Sequence, residues 1–296
     1  MIGAVDIGGT KFAVGMISEN GKVLARAETP SQPELGVQDG LRRIIHLLHA
    51  TAGQAGQILQ GIGAGVTGPV HPLTGKLGRN EFLPGWEGLD LVNELQRTFG
   101  VSVAIENDAD AAALGEAAWG AGRGARRFIY ITVSTGIGAG IVLEGQLYRG
   151  AYGSHPELGH HVIDPSGPLC FCGARGCWES LAGGRALALR GGGGSALEVC
   201  EAARQGDAEA LAAVEQEGVA LGIGLANLVT LFVPDVIALG GGVMQSWDLF
   251  YDKITTTIRT TCGLVPNEMT RLLPASLGRD VGLAGAAQVW MKRYGQ

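Results

Sequence analysis

Residues 2–17 read IGAVDIGGTKFAVGMI and residues 128–143 read FIYITVSTGIGAGIVL. Each stretch is an apolar run of strand length, a turn built on glycine, and a second apolar run. A glycine turn exposes several backbone N–H groups on one side, and neighbouring hydroxyls add donors, so both turns suit phosphate oxygens. Two copies of one pattern, roughly half the chain apart, predict a duplicated architecture.

Outward from these turns, ENGK closes the first pair of strands as a hairpin and VLARAETP supplies a third strand. Leu41, Ile44, Ile45 and Leu48 fall at helical spacing within 37–60. GIGAGVTGPV reads as a strand entering a loop that runs to Trp86, LDLVNELQRTFG as a helix, VSVAIEN as a strand and DADAAALGEAAWG as a helix. QLYRG follows the second strand pair. Past residue 196 helices dominate, broken by one strand, DVIALGG, that runs into GGG at 240–242. VGLAGAAQVWMKRYG closes the chain as a helix. Interleaved strands and helices make the class α/β. The helix near 107–121 is the expected seam between a smaller lobe at 1–115 and a larger one at 116–280, with the closing helix, 281–296, returning to the first.

The 296 residues are 46% hydrophobic and 17% charged, the balance of a globular protein. A net charge of −6 with no basic run disfavours nucleic acid or an anionic membrane as partner. The opening MIGAVDIGGT carries no positively charged leader, and Pro234 and Asp235 interrupt the longest apolar run, so no targeting or membrane segment is expected. Few cysteines in such a chain point to a reducing cytoplasm. Of the 50 glycines, GGGG at 191–194 reads as a loop between helices, whereas glycines inside strands mean that something approaches the backbone closely.

Two phosphate motifs fail on inspection. GAGVTG at 63–68 has the letters of a dinucleotide fingerprint, but Pro69 and Pro72 follow where a helix is required. GAVDIGGT at 3–10 starts like a mononucleotide loop but has Gly9 in place of its lysine. The two hairpin turns remain: Asp6, Gly8, Gly9, Thr10 and Lys11 on one, Ser134, Thr135, Gly136 and Gly138 on the other, with Gly241 in the late triple glycine. A carboxylate at Asp6 makes sense beside a nucleotide if Mg²⁺ stands between them, directly or through water.

Residues 157–180, ELGHHVIDPSGPLCFCGARGCWES, gather three of the five cysteines. His160, Cys170, Cys172 and Cys177 form the Cys₃His set of a closed structural zinc site, with Gly173 and Gly176 turning the loop and His161 as the rival imidazole. A disulfide would use only two of the three thiols. Four protein ligands leave no open position for water, so the ion would clamp a loop bracketed by Glu157 and Glu179. Cys200 and Cys262 read as ordinary helix residues. In ENDADAAALGE, Asn and Asp suit a helix start on capping grounds alone.

Together DIGGTK, STGIGAG and ALGGGV resemble the actin-like ATPase and sugar-kinase fold, and 157–180 resembles the signature of its ROK branch of sugar kinases and repressors. The resemblance runs from residue 4 to about residue 290. It implies a duplicated α/β fold of two lobes with a cleft between them, and ATP with Mg²⁺ as cosubstrate. The family pattern E-x-G-H puts the zinc ligand at His160. It also implies that Glu157, His160 and Glu179 grip sugar hydroxyls, one His160 nitrogen holding zinc while the other faces the sugar. Asn107 would bind the sugar, Asp108 would be the general base for its 6-hydroxyl, and Gly68 would offer backbone contact. Glucokinases of the branch often have a sugar-binding asparagine shortly before PGW. Here Phe82 stands at that place, with Asn80 two residues earlier.

The implied activity is phosphorylation of glucose to glucose 6-phosphate. Another hexose or amino sugar, such as N-acetylglucosamine, N-acetylmannosamine or fructose, is the alternative. A sugar-responsive repressor would need a helix-turn-helix ahead of the fold, and this chain begins on its first strand. Relatives are commonly dimers or tetramers, so a homo-oligomer is expected.

Overall fold

The structure is a computed structural model describing residues 1–295, and it forms two compact units. The first comprises Met1–Gly124, Gln146–His155 and the chain from Ser276 onward; the second comprises Ala125–Gly145 and Pro156–Ala275.

In the first unit β1 (Ile2–Ile7), β2 (Lys11–Ile17) and β3 (Val23–Pro30) form an antiparallel meander. After α1 (Val37–Ala55), β4 (Gly61–Val66) joins β1 in parallel. After α2 (Leu91–Phe99), β5 (Ser102–Asn107) joins β4, giving the order β3-β2-β1-β4-β5. The pleat sends alternate residues to opposite faces. Val5 and Ile7 therefore pack with Leu41, Ile44 and Leu48 of α1. Ile2 and Ala4 pack with Leu283, Ala286 and Ala287 of the closing helix. With both faces covered, β4 is apolar throughout and β1 is apolar except for Asp6 near its end.

The glycines of β4 are explained by that closing helix. A Cβ at Gly63 would overlap the backbone of Ala286, and one at Gly61 the indole of Trp290. What approaches these strand glycines is a helix, not a ligand. α3 (Asp108–Trp119) starts directly on the end of β5, and its Gly115 meets Gly285 of the closing helix backbone to backbone.

In the second unit β6 (Arg127–Val133) and β7 (Ile137–Leu143) repeat the antiparallel pair, and the chain passes back to the first unit through the short β8 (Gln146–Leu147). The helices α4 (Trp178–Ala182), α5 (Gly184–Arg190), α6 (Ala196–Arg204) and α7 (Ala208–Phe232) follow. Next come β9 (Val236–Gly240), α8 (Trp247–Thr261), β10 (Arg271–Pro274) and the closing helix, α9 (Val281–Tyr294). The second sheet has the order β10-β9-β6-β7-β8, with β9 parallel to β6 and β10 parallel to β9. Trp178, Leu221, Leu225, Phe250 and Ile254 fill its core. The ladders β2-β1-β4 and β7-β6-β9 are alike: a tight antiparallel pair with a later parallel strand on the other side of its first member. The duplicated α/β pattern is present.

One expectation needs correcting. Past residue 196 there are two strands, not one, because RLLP forms β10. Four residues ending in proline carry too little periodicity to read, and proline is tolerated there because the strand is at the sheet edge. Among the described residues, no helix is long and apolar enough to cross a membrane.

Candidate active site and metal centre

In the first unit, the turn between β1 and β2 closes through Gly8 N–H donating to the carbonyl of Lys11 at 3.0 Å. Asp6 precedes it, in register with Ala13 on one side and Gly65 on the other. Its carboxylate lies where a side chain on Gly282, at the start of α9, would otherwise go. Burial, then the neighbouring charge of Asp108, pushes the Asp6 carboxyl up to about 7, against the opposing pull of Lys11 and Arg26. A carboxyl so placed is one that a cation would ionise. Lys11 itself is half exposed and pairs with Glu28 at 3.3 Å.

Asn107 caps α3, accepting from the N–H of Ala109 at 2.9 Å and of Asp110 at 3.3 Å, as Asn does at helix starts. Its amide nitrogen donates to the carbonyl of Gly68 at 3.2 Å. Asp108, the first helical residue, is raised above the usual carboxylate range by burial, while the Ala109 N–H and the Thr67 hydroxyl oppose that shift by donating to it. Asn107 thus holds the helix start by capping, and Asp108 stays half-buried as its first residue.

Asn80 reaches the same place. Its amide nitrogen donates to the Thr67 carbonyl at 2.6 Å and its oxygen accepts from the Phe82 N–H at 2.9 Å. Gly68 has φ +86°, and any side chain there would overlap the Asn80 amide. Phe82 is 53% exposed, and its Cβ occupies the space above Gly9. Asn80 and Phe82 thus go to different places: Asn80 bonds the Thr67 carbonyl and the Phe82 N–H, and Phe82 lies over Gly9 of the first glycine turn.

In the second unit the turn between β6 and β7 closes through Ser134 N–H to Gly136 O at 2.9 Å. The first turn of α5 docks on it, Gly184 N–H donating to Ser134 O at 2.8 Å and Arg185 N–H to Thr135 O at 3.1 Å. These residues open into a cavity of about 650 Å³, whose far wall includes Gly194, Leu197 and Gly242. Gly241 has φ +93° and lies on the backbone of Val133, so only glycine fits. The structure thus brings the STGIG turn and the late triple glycine to one cavity. Gly138 lies on β7, paired with Thr132. The 191–194 run, read from sequence as a plain loop, contributes to the same wall; a four-glycine stretch next to a candidate phosphate turn was the available signal.

The ligand atoms of His160, Cys170, Cys172 and Cys177 all lie within 4.8 Å of one another. His160 Nδ1 is 3.5 Å from Cys170 Sγ, and Cys172 Sγ is 3.5 Å from Cys177 Sγ. Burial and then the two neighbouring thiols push Cys177 up to about 12, burial raises Cys170, and the Ala174 N–H lowers Cys172, so it is the two buried thiols that need a cation to ionise. Three thiols and one imidazole at this spacing fit tetrahedral Zn²⁺. His161 is excluded as a ligand: its Nδ1 bonds Leu158 O at 2.5 Å and its ring packs on Trp178. Cys200 and Cys262 are buried elsewhere. Glu157 is exposed at the entrance of the loop. Glu179 turns back to accept from the Ile137 N–H at 2.8 Å, filling the space left by Gly136.

Sequence reasoning passed over Arg149 and His155, which pair with Glu106 and Asp110 around the Asn107–Asp108 junction. Nothing in their spacing marks them, because they come from a loop 40 residues further along the chain.

The ROK family profile matches residues 2–293. A glucokinase of Thermotoga maritima is 33% identical, covering 98% of this chain and 97% of its own. A xylose repressor of Bacillus spizizenii is 33% identical over 89% of this chain and 69% of its own. The crystal structure of a ROK family glucokinase from Streptomyces griseus in complex with glucose and AMPPNP superposes with a TM-score of 0.84 at 32% identity, covering 97% of this chain and 98% of that one. Fold, motif set and extent of match agree, and the chain belongs to the ROK family, with the actin-like ATPase fold of its sugar kinases.

Proposed function

We propose that this protein transfers the γ-phosphoryl group of ATP to the 6-hydroxyl of a hexose, with glucose as the principal acceptor and glucose 6-phosphate as the product. The observation that carries this reading is the carboxylate of Asp108, raised above its ordinary range and set among the polar groups of Thr67, Asn80 and Asn107. A sugar hydroxyl is a poor nucleophile until a base takes its proton, and a carboxylate of raised pKa is the better base.

Asn107, Asn80 and the Gly68 backbone orient the sugar so that its 6-hydroxyl faces Asp108. In the second unit the N–H groups of the Ser134–Gly138 turn and the Thr135 hydroxyl receive phosphate oxygens, and the cavity bordered by Leu197 and Gly242 takes the rest of the nucleotide. Asp6, Gly8, Gly9 and Thr10 offer the other phosphate turn, and Asp6 would hold Mg²⁺, directly or through water. Magnesium, when bound, neutralises charge on the transferring group. Zinc would be held by His160, Cys170, Cys172 and Cys177 and would supply rigidity to the loop carrying Glu157 and His160, and with Nδ1 at the thiols the His160 Nε2 would be left for a sugar hydroxyl.

The similarity to a xylose repressor keeps a sugar-sensing role as the second reading; a base at Asp108 is what a sensor does not need. A panel of glucose, mannose, fructose, N-acetylglucosamine and N-acetylmannosamine with coupled ADP detection tests the reading. Preference for an N-acetyl sugar would replace glucose as the acceptor. Tight sugar binding with no ADP formed would return the sensor. All five cysteines are unpaired, which fits a reducing cytoplasm. We read the working form as a dimer or tetramer, which light scattering decides.

A further inference from the structure

Glu106 and Asp110 bracket Asn107 and Asp108, one from the end of β5 and one from the first turn of α3. The guanidinium of Arg149 pairs with both carboxylates. His155 Nδ1 lies 2.7 Å from Asp110 Oδ2. The Asp110 side chain is fully buried, and the other three are largely so, with 20% of Arg149, 17% of Glu106 and 14% of His155 exposed. Two buried carboxylates facing one guanidinium leave an excess negative charge, which is costly in such surroundings. An imidazolium on Asp110 cancels it. The loop between the two cations includes Tyr152 at φ +58°, a left-handed backbone for a bulky residue whose fully exposed ring has no packing to hold it. Arg149 and His155, at the two ends of that loop, are the fastenings.

We propose that His155 is a positioning residue for the phosphoryl-transfer step: as an imidazolium it completes a charge-balanced quartet with Arg149, Glu106 and Asp110 that fixes the first turn of α3 and leaves Asp108 in a locally neutral field. The groups facing His155 are Asp110 directly, Arg149 and Glu106 across Asp110, and Asp108 within electrostatic reach, where the His155 charge lowers the Asp108 carboxyl against the larger effect of burial. His155 does not touch the sugar in this account. It sets how basic Asp108 is and how it is held. Neither a spacing rule nor the glycine motifs point to it, because its partner lies 45 positions earlier.

This inference rests on the assignment of Asp108 as the base, and the test separates the two. The pH profile of kcat/KM for glucose at saturating MgATP is measured for wild type, His155→Asn, Asp110→Asn and the double variant, with Tm for each. The acid limb of such a profile reports the essential base of the free enzyme. His155→Asn leaves an uncancelled negative charge beside Asp108, so the limb moves up by about half a unit to one unit, which is roughly a three- to ten-fold loss below the limb and a smaller one on the alkaline plateau. Asp110→Asn removes one negative charge and the partner that holds the proton on His155, so the limb moves down by whatever part of the His155 charge survives. The double variant restores neutrality and brings the limb back toward wild type. A merely structural histidine would lower Tm and reduce rate equally at every pH, with the limb in place; that result overturns the proposal. If His155→Asn fails to fold, the direction of the Asp110→Asn shift still decides. Turnover surviving in Asp108→Ala would instead remove the base assignment itself.

Discussion

Glu179, two residues past the last thiol of the metal cluster, accepts a hydrogen bond from the Ile137 N–H in the turn between β6 and β7. The loop of the His/Cys cluster and the candidate phosphate turn of the second unit are therefore one piece of structure. A carboxylate acceptor on a backbone donor contributes about 1.5–3 kcal/mol. Replacing Glu179 by alanine is expected to loosen the turn and raise KM for ATP roughly five- to fifty-fold. Glutamine, which keeps an acceptor oxygen, loses less. Steady-state kinetics with each substrate varied in turn checks this. A rise in the sugar KM with no change for ATP would mean that Glu179 serves only the sugar.

The metal centre predicts a stability effect that is independent of turnover. Cys177 is fully buried, and its thiol ionises only with a cation at hand. Cys177→Ser should lose the stoichiometric zinc found by elemental analysis and lower Tm by about 5–10 °C, since structural metal binding is folding free energy. A strong chelator should do the same to the wild type. Full metal content in the variant would mean that the cluster is not the zinc site.

The fold was legible where repetition made it so. IGAVDIGGTK and YITVSTGIG declare two strand–turn–strand units, and the three thiols with His160 declare a metal by residue type alone. What stayed hidden depends on long-range pairing. Whether Gly61 and Gly63 admit a ligand or a helix is decided by α9, more than 200 residues away. Asn80 could not be placed from its distance to PGW, because its position follows from the Thr67 carbonyl that it binds. Arg149 and His155 became visible only as partners of buried acids. β10 escaped because four edge residues have too few periods to count.

Asp6 gives a pH dependence with a definite sign. Its folded pKa of about 7 stands above its ordinary value of 3.8, so the folded protein holds this proton where the unfolded chain has released it. The contribution is fully present below about pH 4, declines as pH rises toward 7 and is lost above. Each unit of such a shift corresponds to about 1.4 kcal/mol, reduced here because Asp6 keeps part of its surface in water. Asp6→Asn should therefore raise the Tm of the ligand-free protein by about 2–6 °C at pH 8 and leave it unchanged at pH 4, while turnover falls. Equal Tm differences at both pH values would show that Asp6 is ionised in the free protein.

Asn80 and Phe82 separate two roles within three residues. The Asn80 amide holds the Thr67 carbonyl while the Thr67 hydroxyl bonds Asp108, so the loop reaches the base through one residue. Deleting that amide leaves the Thr67 carbonyl without its donor and the Gly68 backbone without its packing partner. Asn80→Ala is expected to lower kcat/KM for the sugar by about 1–3 kcal/mol of transition-state binding, roughly five- to a hundred-fold, with KM for ATP little changed. Phe82 makes its contact with Gly9 instead, on the turn proposed to receive phosphate. Phe82→Ala keeps the Cβ over Gly9 but removes the ring that flanks it, which opens the turn to water and should raise ATP hydrolysis in the absence of sugar, because exclusion of water is what limits that side reaction. Measuring both rates in both variants gives a crossed pattern if the roles are distinct. Should Phe82→Ala instead shift sugar preference and leave idle hydrolysis alone, the ring belongs to the sugar pocket and Asn80 alone does not define that corner.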